Sequence, residues 1–320
     1  MGLVTLKHIS EESGVSIRTV NRALKGEGGV GEEKRQRILR MAADMGYTPN
    51  IAARNLRLQK RNFVGIVTYT SPQTIFMRKN YDLQRRLEMK GFYPILGMLS
   101  ADAQAAAEML REWAGIVNTV VFFGGTGEWK QLDALHCLPQ QCIFIDCNTV
   151  GASFHNLIID RSSGIRDGIL YLLENGRKKI ARCGNIPNRD DGLSKAFNSF
   201  KGGKKPEYVY FQTDGSDFEN GYEVGRRLVD SAADAVFFDT DRMAFGFLKY
   251  AWENKISIPK DIAVIGFDDD PWGMCSCPSL STVAQPIVEM NEKIVELVEN
   301  PVSPGQAYVF STKFIKRESI

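Results

Sequence analysis

Two short helices joined by a tight glycine turn, near the start of the chain, constrain it more than anything else in it. Thr5 is placed to cap a first helix over Leu6–Ser13, with Leu6 and Ile9 on its inner face and Gly14 ending it. Ser16 is placed to cap a second helix over Ile17–Lys25, ended by Gly26. Two helices across such a turn make a helix-turn-helix unit. On the second helix Val20 and Leu24 lie four apart and point inward, which puts Ile17, Arg18, Asn21 and Arg22 together on the outer face. Two guanidinium groups, an amide and an aliphatic side chain match what a major groove offers: guanine acceptors, the adenine donor–acceptor pair and a thymine methyl.

A third helix is expected over about Glu32–Met45, with Ile38, Met41, Ala42 and Met45 at core spacing and Gly46 and Pro49 as its stop. The segment Asn50–Leu58 has helix-forming residues but is too short to hold a helix alone in water. It carries Leu56 among basic residues. A segment that folds on binding and wedges a leucine into a minor groove accounts for that composition.

Charge follows the same division. Residues 1–61 hold 12 Lys+Arg against 6 Asp+Glu, whereas the remainder holds 28 against 32. The positive excess sits where phosphate contacts are needed. Beyond Lys60-Arg61, compact apolar runs such as "FVGIVTY", "TVVFFGG", "QCIFID", "KIARCGN", "AVFFD" and "DIAVIGFDD" alternate with amphipathic helical stretches. That alternation predicts βαβ units and parallel sheets covered on both faces.

The motifs "TLKHISEESGVSIRTVNRALKG", "GYTPNIAARNL" and "PSLSTVAQP" resemble the lactose repressor (LacI/GalR) family of bacterial transcription regulators, and the resemblance covers essentially the whole chain. It implies an α/β fold: a three-helix helix-turn-helix headpiece, then a doubly wound, periplasmic-binding-protein-like effector domain. The implied boundaries are 1–49 for the DNA-binding domain, 50–61 for the hinge helix and linker, and 62–320 for the effector domain. Within the last, a first subdomain would take about 62–158 and 287–303, and a second about 159–286 and 304–320.

The resemblance assigns DNA contacts to Thr5, Leu6, Ser16, Ile17, Arg18, Thr19, Asn21, Arg22, Tyr47, Asn50, Ala53 and Leu56. It assigns effector contacts to Ser71, Phe76, Asp146, Arg189, Phe218, Thr240 and Asp268. Most of these follow strands, where open parallel sheets receive ligands. Arg189 and Asp268 are expected to face each other across a hydroxylated ligand, a sugar first; a purine between Phe218 and Phe76 is the alternative. Asp160 and Asp241 read as structural, since an aspartate after a strand often caps the next helix. The chain departs from the family at Thr240, where asparagine is usual, and at Gly31, where the third helix usually has a Ser or Thr cap.

The expected partners are a palindromic operator duplex, a small effector and a second copy of the chain; closure of the cleft on the effector would change the hinge spacing, with repression as the commoner mode. A solute receptor or a DNA-binding enzyme would need features not found here. The N-terminus reads as no export signal, which places the protein in the cytoplasm. There is no nucleophile elbow, P-loop or dinucleotide fingerprint, and Gly124-Gly-Thr-Gly127 reads as a strand-end loop. No cofactor and no metal are expected. His136 beside Cys137 lacks a tetrahedral ligand set, and the six cysteines read as buried thiols in and near strands.

Overall fold

The computed structural model describes residues 4–47, 62–69, 73–99, 103–113, 116–124, 141–146, 154–202, 206–303 and 305–320. The chain divides into two compact units, Met1–Arg61 and Asn62–Ile320.

The first unit holds α1 (Leu6–Ser13), α2 (Ile17–Leu24) and α3 (Glu32–Asp44). Thr5 closes a capping box on α1, and Gly14 ends that helix at φ +67°, where a side chain would be strained. Ile9, Val20, Ala23, Ile38 and Ala42 form the core, ringed by Leu6, Val15, Leu24, Met45 and Tyr47. Met41 is only half-buried and lies outside that cluster. Gly31 gives α3 no side-chain cap, while Glu32 and Glu33 stand in its first turn and complement its dipole.

The second unit begins with β1 (Phe63–Tyr69), α4 (Thr74–Met89), β2 (Tyr93–Leu99), α5 (Ala103–Trp113), β3 (Thr119–Phe123), β4 (Gln141–Ile145) and β5 (His155–Asp160). It continues with α6 (Arg161–Glu174), β6 (Lys179–Gly184), α7 (Asp190–Ser199), β7 (Glu207–Gln212), α8 (Phe218–Glu223), α9 (Gly225–Asp230), β8 (Ala235–Phe238), α10 (Asp241–Glu253) and β9 (Ala263–Ile265). A 3-10 turn at Pro271–Met274, β10 (Thr282–Ala284), α11 (Ile287–Glu299), β11 (Ala307–Ser311) and β12 (Lys313–Ile315) complete it.

Two parallel sheets result, in the orders β11-β5-β4-β3-β1-β2 and β7-β6-β8-β9. Alternate residues of each inner strand feed opposite cores. In β3, Val121 and Phe123 join one cluster, and Val120 and Phe122 the other. In β8, Val236 and Phe238 face one way, and Ala235 and Phe237 the other. Burial on both faces is why these strands read as unbroken apolar runs. β1 and β6 are each interior first strands, so each sheet has a switch point beside them where a crevice opens at the strand ends.

Helix α11 packs on α4, beside the first sheet. The return expected at residue 304 comes later: Ala307–Ser311 still pairs with β5 in the first sheet, and the chain leaves it only for β12, which pairs antiparallel with β10. The alternating burial along "AYVFS" marks a sheet edge, which the sequence pattern alone did not assign to either half.

Cys142 and Cys183 are buried in β4 and β6 as expected, but Cys275 and Cys277 are exposed, because they follow the surface turn at Pro271–Met274. No described helix is long and apolar enough to cross a membrane.

Candidate functional site

In the first unit, Ser16 caps α2 by accepting the Thr19 amide at 3.2 Å, and its hydroxyl meets that of Thr19 at 2.9 Å. With Val20 and Ala23 turned inward, Ile17 is left 43% exposed although it is aliphatic, and Arg18 is exposed beside it. Asn21 and Arg22 are half-exposed on the same face. Arg22 is already engaged: its Nη2 donates to the Gly28 carbonyl in the α2–α3 loop. Arg35, on α3, holds the same loop by donating to the Glu27 carbonyl at 2.7 Å. Leu6 and Tyr47 pack against the core, so any contact by Leu6 with a phosphate falls to its backbone amide at the start of α1. Asn50, Ala53 and Leu56 lie outside the described residues.

In the second unit, polar residues gather at the ends of both sheets. Arg182, on β6, is buried and paired bidentately with Asp239, at 2.9 Å from both Nε and Nη2. Burial opposes its charge, but Asp239 and Asp190 hold its guanidinium above the ordinary range. Next to this pair, Arg189 is 3% exposed and lies with its guanidinium 3.7 Å from the centroid of the Phe267 ring. Its Nη2 makes one long contact, 3.4 Å, to the Asp239 carbonyl. Nε and Nη1 have no hydrogen-bond partner among the described residues. Burial lowers its pKa, against the pull of Asp268 and Asp239.

Asp268 follows at φ +105°, a strained conformation for a side-chain-bearing residue. Burial raises its pKa, while Arg189, Gln285, Lys79 and Arg161 pull it back. Gln285 donates to it at 2.5 Å. Arg189 and Asp268 therefore both stand beyond strands of the second sheet, β6 and β9, and each feels the other's charge.

Asp146 is elsewhere engaged. Arg161 clamps it bidentately, with Nη1 at 2.8 Å from Oδ1 and Nη2 on Oδ2, and the Ile159 amide adds 3.3 Å. Thr240 is a cap: its hydroxyl donates to the Ser216 carbonyl at 2.7 Å and accepts the Met243 amide at 3.2 Å. With its donor role and one of two acceptor lone pairs filled, the hydroxyl keeps a single acceptor position, at 2% exposure. Asp160 caps α6 through Ser162 and Ser163, and Asp241 binds the Thr282 hydroxyl and the Asp270 amide, both structural as expected.

Phe218 opens α8 and is 37% exposed. Its place is set by glycines: a Cβ on Gly246 would come 1.9 Å from the Phe218 carbonyl oxygen, and one on Gly221 1.9 Å from the Met243 carbonyl oxygen, so the close approach of α8 and α10 needs glycine at both. Phe76 is half-buried on α4, against Gly124 at the end of β3. Ser71 lies outside the described residues.

Helix α4 bridges the two sheets. Gln73 donates to the Ser216 hydroxyl at 3.1 Å, Thr74 to the Asp270 carboxylate, and Arg78 to the carbonyls of Asp268 and Asp269 at 3.0 and 2.6 Å. Two cations of this region escaped the sequence reading. Arg161 directly follows the capping Asp160. Lys79 stands in the buried stripe Ile75, Lys79, Leu83, Leu87 of α4, and a lysine on that four-residue repeat was the legible signal. Burial brings Lys79 from 10.5 down to about 7, helped by repulsion from Arg161, Arg189 and Arg78 and opposed by Asp268.

Residues 5–50 match the model for bacterial regulatory proteins of the lacI family, and residues 169–320 match a periplasmic binding protein-like domain. The NTD biosynthesis operon regulator NtdR of Bacillus subtilis (strain 168) is 28% identical over 335 aligned residues, covering 98% of this chain and 99% of its own length. The HTH-type transcriptional regulator RegA of Clostridium saccharobutylicum is 25% identical, with 98% of each chain covered. Among solved structures, the lac repressor dimer bound to operator and the anti-inducer ONPF superposes with a TM-score of 0.81 at 19% identity over 99% of both chains. A LacI family regulator from Enterococcus faecium with bound ribose gives 0.69 at 23% identity, over 80% of this chain and 98% of its own.

Proposed function

Because the chain belongs to the lacI family of bacterial regulatory proteins, a DNA-binding transcriptional regulator with a ligand-binding domain, we propose that it is a repressor whose operator affinity is set by a small hydroxylated metabolite held at the rims of its two sheets. The effector half of this reading rests on one observation: Arg189 is almost fully buried, yet two of its nitrogens have no hydrogen-bond partner among the described residues. A buried guanidinium left so is costly, and a ligand oxygen would satisfy it. Asp268 beside it accepts ligand hydroxyls in the same place. The sugar class is supported by the ribose in the Enterococcus faecium neighbour and by the ribose operon repressors among the relatives.

On the DNA side, α2 would lie in the major groove with Ile17, Arg18, Asn21 and Arg22 toward base edges. Ser16, Thr19, Thr5, Leu6 and Tyr47 would serve the backbone, and Asn50, Ala53 and Leu56 the minor groove. A homodimer would present two such helices to a palindrome. Met77 and Tyr81, exposed on successive turns of α4, and Trp272 and Met274 on the 3-10 turn, are apolar surface that a second copy would cover.

The test is a thermal-shift screen of sugars and nucleosides on wild type and Arg189→Ala. A hit whose stabilisation vanishes in Arg189→Ala, while DNA binding without ligand is retained, supports the reading. Stabilisation equal in both proteins removes Arg189 from the site.

A further inference from the structure

The charges around Lys79 do not balance: Arg161, Arg189 and Arg78 repel it, and Asp268 is the carboxylate that attracts it. Lys79 is 5% exposed, has no hydrogen-bond or ion-pair partner for its ammonium among the described residues, and sits 5.8 Å from the centroid of the Phe76 ring. Its neighbour Arg78 touches the carbonyls of Asp268 and Asp269, so this turn of α4 abuts the loop that carries Asp268. Lys79, Arg161 and Arg189 repel one another, and Asp268 attracts all three. Asp146 neutralises Arg161, and Asp268, already held by Gln285, is left to face both Lys79 and Arg189. Lys79 thus shares Asp268 with Arg189, while Asp146 is taken by Arg161 and Asp239 by Arg182, and Arg78 adds further positive charge from the side.

We propose that the effector carries an anionic group, a carboxylate or a phosphate, held between Lys79 and Arg189. The inference rests on the reading of these sheet rims as the effector site. A neutral polyol would fill the empty donors of Arg189 but offer Lys79 no charge to hold it in its ammonium form, so the amine would shed its proton instead. An anion gives both groups charge-assisted hydrogen bonds. The hydroxyl-bearing remainder of the ligand would meet Asp268.

The full-length protein is tested by thermal shift and calorimetry at pH 6.5. Inorganic phosphate and acetate are titrated alone at matched ionic strength against wild type, Lys79→Met, Lys79→Arg and Arg189→Ala. At least one anion stabilises wild type and Lys79→Arg, and its effect is lost in Lys79→Met and Arg189→Ala. Glucose, glucuronate and glucose 6-phosphate, and the corresponding galactose and ribose derivatives, then separate carboxylate from phosphate. A charged sugar binds about tenfold or more above its neutral parent, and the ratio collapses toward one in Lys79→Met. Neither anion stabilising wild type, or either doing so equally in Lys79→Met, overturns the proposal. Neutral sugars that stabilise wild type and Lys79→Met alike but not Arg189→Ala overturn the charge and leave the site. Stabilisation that persists in Arg189→Ala overturns the site itself.

Discussion

The guanidinium of Arg22 donates to the carbonyl of Gly28, so a side chain on the exposed face of α2 is tied to the loop behind it in the DNA-free protein. The contact is local and solvent-exposed, worth little to stability, and it holds the arginine near one orientation. Arg22→Ala is expected to leave the melting temperature nearly unchanged and to cost ~1–3 kcal/mol on the preferred operator, relaxing preference at one base pair. Fluorescence anisotropy against single-substituted duplexes reads both effects. Unchanged affinity with unchanged preference would remove Arg22 from the reading face.

The Arg182–Asp239 pair behaves differently, because Asp239 is wholly buried. Arg182→Met should cost about 3–5 kcal/mol in urea unfolding, since it strands a buried carboxylate. Arg182→Met with Asp239→Leu should recover part of that loss. A double variant no better than the single one would show that the pair's packing, rather than its charge, stabilises the strand ends.

Thr240 separates a cap from a ligand contact. Thr240→Val removes the hydroxyl that accepts the Met243 amide and should lower stability by ~0.5–2 kcal/mol. The affinity for any effector found by screening should stay within a factor of about two of wild type. A selective loss of effector binding at full stability would return Thr240 to the site.

Lys79 gives a signed pH dependence. Unfolded, its amine keeps the proton up to its ordinary value of 10.5; folded, burial releases it at about 7. Between those values the unfolded chain holds more protons, so the Lys79 contribution to stability improves as pH rises. Lys79→Met should therefore be more stable than wild type at pH 6, and the difference should shrink toward pH 10. The groups that share this environment are Arg78, Arg161, Arg189 and Asp268. A stability difference constant over that range would mean that Lys79 ionises normally.

Much of the fold was legible because its signals are local. Thr5, Ser16, Gly14 and Gly26 bracket α1 and α2 by capping chemistry, and the apolar runs at 119–123 and 235–238 announce strands buried on both faces. The long-range pairing of β11 was not legible, since alternation along "AYVFS" says that a strand exists but not which sheet receives it. At the sheet rims, Arg189 and Asp268 were found from their positions after strands. Asp146 and Thr240 were found by the same criterion, but their partners, Arg161 and the Ser216 carbonyl, are ones that no spacing reveals. Lys79 was missed because the helix around it reads as ordinary core packing; its charge stands out only against that stripe.

The most direct test of the account is selection of the full-length protein on a randomised duplex library, followed by titration on the enriched sequence. The account predicts a two-fold symmetric site bound ~10³-fold or more above a scrambled duplex, with the ratio falling in Arg18→Ala and Arg22→Ala. Failure to enrich any sequence, or equal affinity for the enriched and scrambled duplexes, would contradict it.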